Sequence, residues 1–377
     1  MGNQEGVFDV RRIYIWSNGC EQRNLEKTYF QHLAKKNADE VTTIRIEADV
    51  ALLVTCCVSN AATQNSMEEI EKCIKDRVNI IVYGCLPGIK KEWLVDHGIH
   101  SFSVYQRSEL LQVMKWKNDV SFPHLTEEDE LCDSLDGKTP REKFDTVKNA
   151  KKILIDNGCL NRCSYCVIRF ATGKLKSRDI TDIVKEWNYI VQPNEYIMLM
   201  GGDTGAYGMD IGTNLPMLLK TLHEQPKHAK IYLHDLNIRW MKKYLNEFCE
   251  LLQNDSRIVR GMTMPIQSGS DKILSSMNRH YNAEDIQVCF NKIHDTDRTI
   301  ILGTHVIVGY PGENKTDFEE TVDLLQKLPL DFISCFAYSE HVEAISAKFF
   351  PKVDTNTVLK RFEILSKLFG NKLKIYQ

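Results

Sequence analysis

Short hydrophobic runs and amphipathic stretches alternate along roughly the first 115 residues of the chain. Apolar runs at residues 13–16, 50–58 and 79–85 predict buried strands, because strands covered on both faces carry near-continuous hydrophobic residues. Between them, residues 24–36 and 67–77 have the spacing of amphipathic helices. Strands that alternate with helices in this way indicate a parallel α/β sheet with crossover helices.

The same alternation resumes at Lys151 and continues to the end of the chain. Six apolar segments predict strands, and amphipathic segments at 182–191 and 317–328 predict helices between them. The six segments are residues 151–156, 195–202, 230–235, 261–266, 304–310 and 331–338. This pattern predicts a partial (β/α)6 barrel, with its active site at the C-terminal ends of the strands. Residues 355–374 predict a helix that closes the barrel.

An acidic, turn-rich stretch separates the two alternating regions. It includes TEEDELCDSLDGKTPRE at 126–142 and is weakly apolar, as expected of a linker. The length of 377 residues also suits two domains at roughly 150 residues each. We therefore predict an N-terminal domain at 10–117, a linker at 118–147 and a second domain at 148–377.

Charge and hydropathy narrow the possible partners and locations. Lys and Arg number 48 against 51 Asp and Glu, giving a net charge of −3, so a nucleic-acid substrate would need a local basic patch. No run of 18 apolar residues occurs, and the first residues lack an apolar secretory segment. We expect a cytoplasmic protein without a membrane partner. The 12 cysteines then argue for metal or redox chemistry over a disulfide framework.

Three of these cysteines lie in one loop after the predicted strand at 151–156. Cys159, Cys163 and Cys166 have the spacing C-x3-C-x2-C. Three neighbouring thiolates can bind three irons of a cubane cluster and leave the fourth iron open to another ligand. A structural zinc site usually needs four ligands, and no fourth lies nearby. The alternatives are a three-ligand zinc site and an accidental grouping.

Three further cysteines follow successive predicted strands of the N-terminal region. Cys20, Cys56 and Cys85 lie at or just past the strand ends, and Cys57 is adjacent to Cys56. Because the carboxyl ends of parallel strands share one edge of a sheet, these cysteines can converge in space. The alternative is that they are buried core thiols. The remaining six cysteines carry no pattern: Cys57, Cys73, Cys132, Cys249, Cys289 and Cys335.

The cysteine loop resembles the signature of the radical S-adenosylmethionine (SAM) superfamily. The segments SNGC, VTCC and VYGC resemble the cluster-ligand positions of the methylthiotransferase family. Two further stretches, MPIQSGSDKILSSMNRHY at 264–281 and VIVGYPGENKTDFEETVDLL at 306–325, resemble other blocks of that family. The resemblance covers about residues 10–370. It implies an N-terminal parallel α/β, flavodoxin- or Rossmann-like methylthiotransferase domain followed by the partial (β/α)6 radical SAM barrel.

The resemblance also implies cofactors and a reaction. Cys159, Cys163 and Cys166 would bind the [4Fe–4S] cluster that cleaves SAM, while Cys20, Cys56 and Cys85 would bind a second [4Fe–4S] cluster. The enzyme would use two SAM molecules to replace an unactivated C–H bond of the substrate with C–SCH3. A reducing electron donor such as flavodoxin or ferredoxin and a sulfur donor would be partners.

Seven residues match positions that contact SAM in the superfamily or lie at a strand end. Tyr165 would touch the adenine, and Gly201, Gly202 and Asp203 match the Gly-Gly-acid segment that holds the methionine ammonium.

Arg178 would pair with the SAM carboxylate, with a solvated surface arginine as the alternative. Gln267 and Ser268 are candidate contacts to the SAM ribose or the substrate.

The substrate is the most open question at this stage. The stretch GGDTGAYGMDIGTNLP at 201–216 resembles the branch that methylthiolates N6-threonylcarbamoyladenosine in tRNA. However, YSEHVEAISA at 338–347 departs from the family pattern, and we expect the C-terminal TRAM domain that grips tRNA to be absent. A peptide or protein side chain is therefore the alternative substrate. A third possibility is a non-catalytic iron–sulfur protein.

Overall fold

The computed structural model describes residues 10–117, 142, 150–192, 195–254 and 258–376. These residues form two compact units, the first containing those before 118 together with 170–172 and the second containing the rest. The predicted linker at 118–147 lies outside the described residues, apart from Glu142. The predicted domain boundaries therefore stay a prediction. None of the described helices is long and apolar enough to cross a membrane.

The first unit contains a five-stranded parallel sheet in the order β2-β1-β3-β4-β5. Its strands are β1 (Arg12–Ser17), β2 (Glu40–Thr42), β3 (Val50–Thr55), β4 (Asn79–Gly84) and β5 (His100–Ser103). Its helical elements are α1 (Glu21–Lys36), a 3-10 turn (Arg45–Glu47), α2 (Asn60–Lys75), α3 (Leu86–Ile89), α4 (Lys91–Asp96) and α5 (Arg107–Met114). The three predicted strands are confirmed as β1, β3 and β4. The short, partly exposed β2 and β5 were not predicted, because they lack an apolar run.

The register of the central strands brings their carboxyl ends together. Ser17 of β1 is opposite Val54 of β3, and Thr55 of β3 is opposite Gly84 of β4. All six residues of β3 are buried, because apolar side chains cover both faces of the sheet. The chain therefore leaves these neighbouring strands at one edge, where the predicted cysteines follow.

The second unit contains a seven-stranded parallel sheet in the order β14-β13-β12-β11-β10-β9-β6. The strands are β6 (Lys151–Leu154), β9 (Tyr196–Met200), β10 (Lys230–Leu233), β11 (Val259–Thr263), β12 (Ile301–Val308), β13 (Phe332–Ala337) and β14 (Leu373–Tyr376). A separate antiparallel pair is formed by β7 (Asp156–Asn157) and β8 (Lys176–Ser177). The six strands predicted for this region are confirmed, in chain order across the sheet.

Helices connect these strands. They are α6 (Ile168–Thr172), whose last three residues belong to the first unit, α7 (Ile180–Ile190), α8 (Leu215–His223), α9 (Ile238–Lys243), α10 (Leu245–Asn254), α11 (Asp271–Ser276), α12 (Ala283–Thr296), α13 (Lys315–Lys327) and α14 (Thr355–Phe369). Three 3-10 turns lie at Thr204–Ala206, Ile345–Lys348 and Gly370–Lys372.

The predicted closing helix is right in type but wrong at its end. Helix α14 stops at Phe369, where Gly370 adopts a left-handed φ of 49°, and β14 follows and pairs with β13. Tyr376 stacks on Phe336 of β13, with ring centroids 4.7 Å apart. Residues 373–376 therefore extend the sheet instead of continuing the helix.

Candidate iron–sulfur sites

The cysteine loop of the second unit is fixed by backbone and side-chain hydrogen bonds. The amide of Cys166 donates to the carbonyl of Cys163 at 3.1 Å, and the amide of Asn161 donates to the Sγ of Cys159 at 3.3 Å. Ser164 anchors the loop to the end of α11, because its hydroxyl donates to the carbonyl of Ser276 at 2.8 Å. Ser164, which lies between two of the cysteines, thus fixes the loop without using a thiol, and the three thiols remain available as ligands.

The thiols of this loop form one electrostatic group. Burial raises the pKa of Cys166 to about 12, and the charge of Cys163 adds to the effect. Burial, the charge of Asp203 and the charges of the other two thiols raise the pKa of Cys159. Metal coordination would replace the protons of these thiols.

The described residues contain no group of three His, Cys, Asp or Glu side chains arranged around a single metal position. Three thiolates suit a cubane cluster, in which each would bind a different iron, whereas a structural zinc site usually takes four ligands.

Arg279 lies beside the loop and was not singled out from the sequence. Its Nη1 donates to the Sγ of Cys163 at 3.2 Å and to the hydroxyl of Tyr165 at 3.3 Å. Its Nη2 donates to the carbonyl of Pro265 at 2.8 Å, and its Nε to the hydroxyl of Tyr281 at 2.5 Å. Arg279 lies within the block 264–281 that resembles the family, but its contacts with Cys163 and Tyr165 arise only in the fold. The adenine contact predicted for Tyr165 stays a prediction.

The Gly-Gly-acid segment is held by a buried carboxylate. The Oδ1 of Asp156 accepts the amide of Gly202 at 2.7 Å and that of Asp203 at 3.2 Å. A Cβ at Gly201 would lie only 2.3 Å from Oδ2 of Asp156, so glycine is needed for this close approach. Burial, followed by the charge of Asp203, raises the pKa of Asp156 to about 8. Asp156 is thus a second residue beside the candidate site that was not singled out from the sequence.

Asp203 brings a carboxylate directly to the cysteine loop. It accepts hydrogen bonds from Nε1 of Trp240 at 2.9 Å and from Nδ2 of Asn161 at 2.7 Å. The Sγ of Cys159 lies 3.7 Å from its Oδ2, and burial raises the pKa of Asp203 to about 6. The structure therefore places the predicted acid next to the first cysteine of the loop.

Arg178, the predicted partner of the SAM carboxylate, already has partners within the protein. Arg178 Nη1 donates to the carbonyl of Leu154 at 2.7 Å and to Oε2 of Glu186 at 2.6 Å. Its guanidinium is thus part of a structural ion pair, and the predicted pairing with the SAM carboxylate is untested.

Gln267 and Ser268 differ from each other although they are adjacent. Gln267 is partly exposed with a left-handed φ of 71°, whereas Ser268 is fully buried, with its hydroxyl 3.2 Å from that of Thr321. Ser268 therefore offers no exposed atom to a ligand in this structure, while Gln267 stays a candidate.

A pair of histidines shares one carboxylate in the same unit. Asp235 follows β10 with a left-handed φ of 55°, and its Oδ2 lies 3.2 Å from Nδ1 of His234. His305 of β12 approaches Oδ1 at 3.5 Å. Although burial opposes the shift, these two imidazoles hold the pKa of Asp235 well below its usual range. His234 and Asp235 are adjacent in the chain, whereas only the fold brings His305 to the same carboxylate.

The three predicted cysteines of the first unit are also neighbours. Cys20 precedes α1, Cys56 follows β3, and Cys85 precedes α3. A hydrogen bond with Cys56 lowers the pKa of Cys20 to about 6, and the same interaction raises the pKa of Cys56. Burial raises the pKa of Cys85 to about 11, and the charge of Cys20 contributes. Such mutual effects require the thiols to lie within electrostatic range, as a second three-cysteine cluster site demands.

Asn18 supports this arrangement from the loop after β1. Its Oδ1 accepts the amide of Cys56 at 2.8 Å, and its Nδ2 donates to the carbonyl of Cys56 at 3.3 Å. Cys57 packs in the adjacent hydrophobic core, as does Cys73. Cys249, Cys289 and Cys335 are also buried, and Cys132 lies outside the described residues.

Comparison with known proteins identifies first the class of enzyme. The Radical SAM superfamily matches residues 153–325, and Uncharacterized protein family UPF0004 matches residues 12–103. The structure of the radical SAM methyltransferase TsrM from Kitasatospora setae aligns with a TM-score of 0.57 at 16% identity, covering 86% of this chain and 72% of that one. At that identity the likeness shows the fold alone, and it confirms the predicted fold class.

Two relatives show which family within the radical SAM superfamily the chain belongs to. The ribosomal protein uS12 methylthiotransferase of Thermosipho africanus is 30% identical over 369 residues, covering 94% of this chain and 82% of that protein. The threonylcarbamoyladenosine tRNA methylthiotransferase of Mus musculus is 30% identical over 370 residues, covering 96% of this chain, which spans 63% of the mouse protein. The chain belongs to the radical SAM methylthiotransferase family. It is a transferase whose cofactors are SAM and two [4Fe–4S] clusters, as the resemblance implied.

Proposed function

We propose that this enzyme methylthiolates N6-threonylcarbamoyladenosine in tRNA. The observation that carries the proposal is the stretch 201–216, which resembles the branch of the family with that substrate. The mouse relative, 30% identical over 370 residues, is named for the same substrate. An electron donor such as flavodoxin or ferredoxin and a sulfur donor complete the proposed set of partners.

The stretch 201–216 forms one continuous structure with the Gly-Gly-acid turn. After Asp203, the hydroxyl of Tyr207 donates to the carbonyl of Arg178 at 2.9 Å, and the amide of Gly208 donates to the hydroxyl of Ser177 at 2.8 Å. The segment ends where Asn214 caps α8 by accepting the amide of Met217. The part that resembles the tRNA-modifying branch is thus tied to the turn that we assign to SAM, so substrate choice and SAM binding share one loop.

The residues of the second unit have distinct proposed roles. Cys159, Cys163 and Cys166 would hold the cluster, which would supply one electron for the reductive cleavage of SAM. Arg279 donates to the Sγ of Cys163, offsets the negative charge of the thiolate and fixes the orientation of Tyr165. Asp203 presents a carboxylate to the methionine ammonium, and its position is fixed by Trp240.

The N-terminal cysteines have a separate role in the proposal. Cys20, Cys56 and Cys85 hold the second cluster, and Cys57 is a bystander. The three assigned thiols come from the ends of adjacent strands β1, β3 and β4, so the rigid sheet fixes their spacing. Asn18 clamps the backbone of Cys56 on both its amide and its carbonyl.

The substrate is tested by nucleoside analysis. The reconstituted enzyme is incubated with SAM, reductant and a sulfur source, and with tRNA that carries or lacks the threonylcarbamoyl group. We expect a methylthiolated nucleoside, a mass gain of one SCH3 for one H, only in the modified tRNA. Absence of this product from enzyme that still cleaves SAM would contradict the tRNA assignment.

A second candidate substrate is a protein side chain. The Thermosipho africanus relative, a ribosomal protein methylthiotransferase, matches at 30% identity over 94% of this chain. Incubation with purified small ribosomal subunit protein uS12 and peptide mass mapping would detect the same mass gain on a side chain. Product on the protein and none on tRNA would replace the first assignment.

A further inference from the structure

Arg23 is a fully buried charge next to the N-terminal cysteines. It lies in the first turn of α1, three residues after Cys20. Its side chain passes Gly84, where an added Cβ would lie 3.4 Å from Cδ of Arg23, and Gly84 immediately precedes Cys85. The arginine therefore reaches from one predicted ligand toward another. The charges of both Cys85 and Cys20 act on its guanidinium.

The guanidinium is incompletely satisfied by the protein. Nη1 lies 2.7 Å from Oε2 of Glu26, an ion pair between two side chains with no exposed surface. Within the described part of the chain, however, none of the three guanidinium nitrogens has a hydrogen bond of acceptable geometry. Burying the donors of an arginine without acceptors is energetically costly. This arrangement indicates an acceptor that the polypeptide alone does not provide.

The surrounding charges leave an excess of positive charge. The carboxylate of Glu26 also accepts the hydroxyl of Tyr83 at 2.8 Å, and Nη2 of Arg107 lies 3.7 Å from it. Two guanidinium groups thus share one carboxylate. Arg107 has other compensation, since its side chain is 27% exposed and lies over the ring of Tyr29. Arg23 has no exposed surface, and the positive end of the α1 dipole adds to its field.

We infer that Arg23 is a positioning residue for the N-terminal cluster, donating hydrogen bonds to its sulfur and offsetting its negative charge. The inference rests on the proposed ligands Cys20, Cys56 and Cys85. A [4Fe–4S]²⁺ core with three thiolates carries about one net negative charge and gains another on reduction, and net charge and hydrogen bonds to sulfur set the potential of such a cluster. A buried guanidinium stabilises the more negative, reduced state. Arg23 therefore raises the reduction potential of this cluster.

The test uses the full chain with Cys159, Cys163 and Cys166 replaced by alanine, so that only the N-terminal cluster remains. In that background we expect Arg23→Gln to retain iron and to shift the reduction potential downward in an EPR-monitored titration. Arg23→Lys keeps the charge but loses the planar fork, so its shift should be smaller. The matched control is Arg12→Gln, because Arg12 of β1 is half exposed and pairs only at 3.6–4.0 Å with Glu47 and Glu40.

The possible outcomes are distinguishable. An unchanged potential in an iron-loaded Arg23→Gln protein would overturn the inference. Loss of iron from Arg23→Gln, with normal iron in Arg23→Lys and Arg12→Gln, would support it as a requirement for holding the cluster. If Arg23→Gln does not fold, the measurement on Arg23→Lys tests the inference. Its reduction potential should still fall, because lysine lacks the planar fork of donors, and an unchanged potential would contradict the role of Arg23. Failure of the underlying ligand assignment would look different, because the parent protein itself would then contain no N-terminal cluster.

Discussion

Nη1 of Arg279 lies 3.2 Å from the Sγ of Cys163, although 116 residues separate the two in the chain. The same guanidinium donates to Tyr165, Tyr281 and the carbonyl of Pro265. One charged side chain therefore joins the cysteine loop to the segment that follows α11. Because a hydrogen bond to a charged group contributes about 1.5–3 kcal/mol, these contacts can hold the loop in a single conformation.

Replacement of Arg279 by lysine should impair the cleavage of SAM. Lysine keeps the charge but cannot bond to Cys163, Tyr165 and Pro265 together, because its ammonium lacks the fixed fork of donors. We expect 5′-deoxyadenosine formation to fall by roughly tenfold or more, equivalent to about 1.4 kcal/mol or above. Liquid chromatography of single-turnover reactions measures this product. The control is Arg260→Lys, because Arg260 of β11 donates to Oδ2 of Asp297 at 3.0 Å, an ion pair that includes no cysteine of the loop. Equal loss in both variants would contradict a specific role for Arg279.

The two sets of cysteines should bind iron independently. We expect about eight irons per chain after anaerobic reconstitution, and about four when Cys20, Cys56 and Cys85 are replaced by alanine. Iron and sulfide analysis measures the content, and Cys73→Ala serves as the control because Cys73 is a buried core thiol. About four irons in both the wild type and the triple variant would show that the N-terminal cysteines are structural.

Asp156 should make the stability of the second unit depend on pH. Its pKa of about 8 in the folded protein compares with an ordinary value near 3.9. Between these values the folded state holds a proton that the unfolded state has released, so this group lowers the free energy of unfolding as pH rises from about 4 to about 8. Asparagine does not titrate, so Asp156→Asn should lack this decline.

Urea denaturation of the metal-free protein at several pH values measures the difference. The free energy of unfolding of Asp156→Asn, relative to wild type, should rise with pH across this interval. Asp182→Asn is the control, because Asp182 is an exposed carboxylate on α7 that pairs with Lys185. Parallel pH curves for Asp156→Asn and wild type would show that Asp156 does not titrate in this range.

Alanine at Gly201 should weaken SAM binding. Its Cβ would lie 2.3 Å from the carboxylate of Asp156, so the Gly201–Asp203 turn must shift at a cost of about 1–3 kcal/mol. We expect the dissociation constant for SAM, measured by calorimetry on reconstituted enzyme, to rise roughly tenfold. Gly212→Ala is the control in the same stretch: the left-handed φ of Gly212 strains an alanine there, but the added Cβ meets no atom within 4 Å. Unchanged binding by Gly201→Ala would show that the turn does not contribute to the SAM site.

The local sequence determined much of the architecture. The apolar run at 50–58 is a fully buried strand over Val50–Thr55, and the amphipathic stretch at 182–191 matches α7 closely. These features are readable because hydrophobic periodicity depends on near neighbours in the chain. The end of the chain shows the limit, since β14 forms by pairing with β13, which no local pattern within 373–376 reveals.

For the candidate site, the ligand cysteines could be predicted from the sequence, but the residues that surround them could not. The donor chemistry could be predicted from the chain alone: the spacing of Cys159, Cys163 and Cys166 and the placement of three cysteines after parallel strands whose ends share one edge. The surroundings of those thiols, in contrast, depend on contacts that exist only in the folded protein. Arg279 reaches Cys163 across 116 residues, Asp156 supports the glycine turn, and Arg23 is enclosed with a single shared carboxylate. Ligand spacing is a local property of the chain, whereas burial and charge compensation depend on residues that meet only when the sheets form.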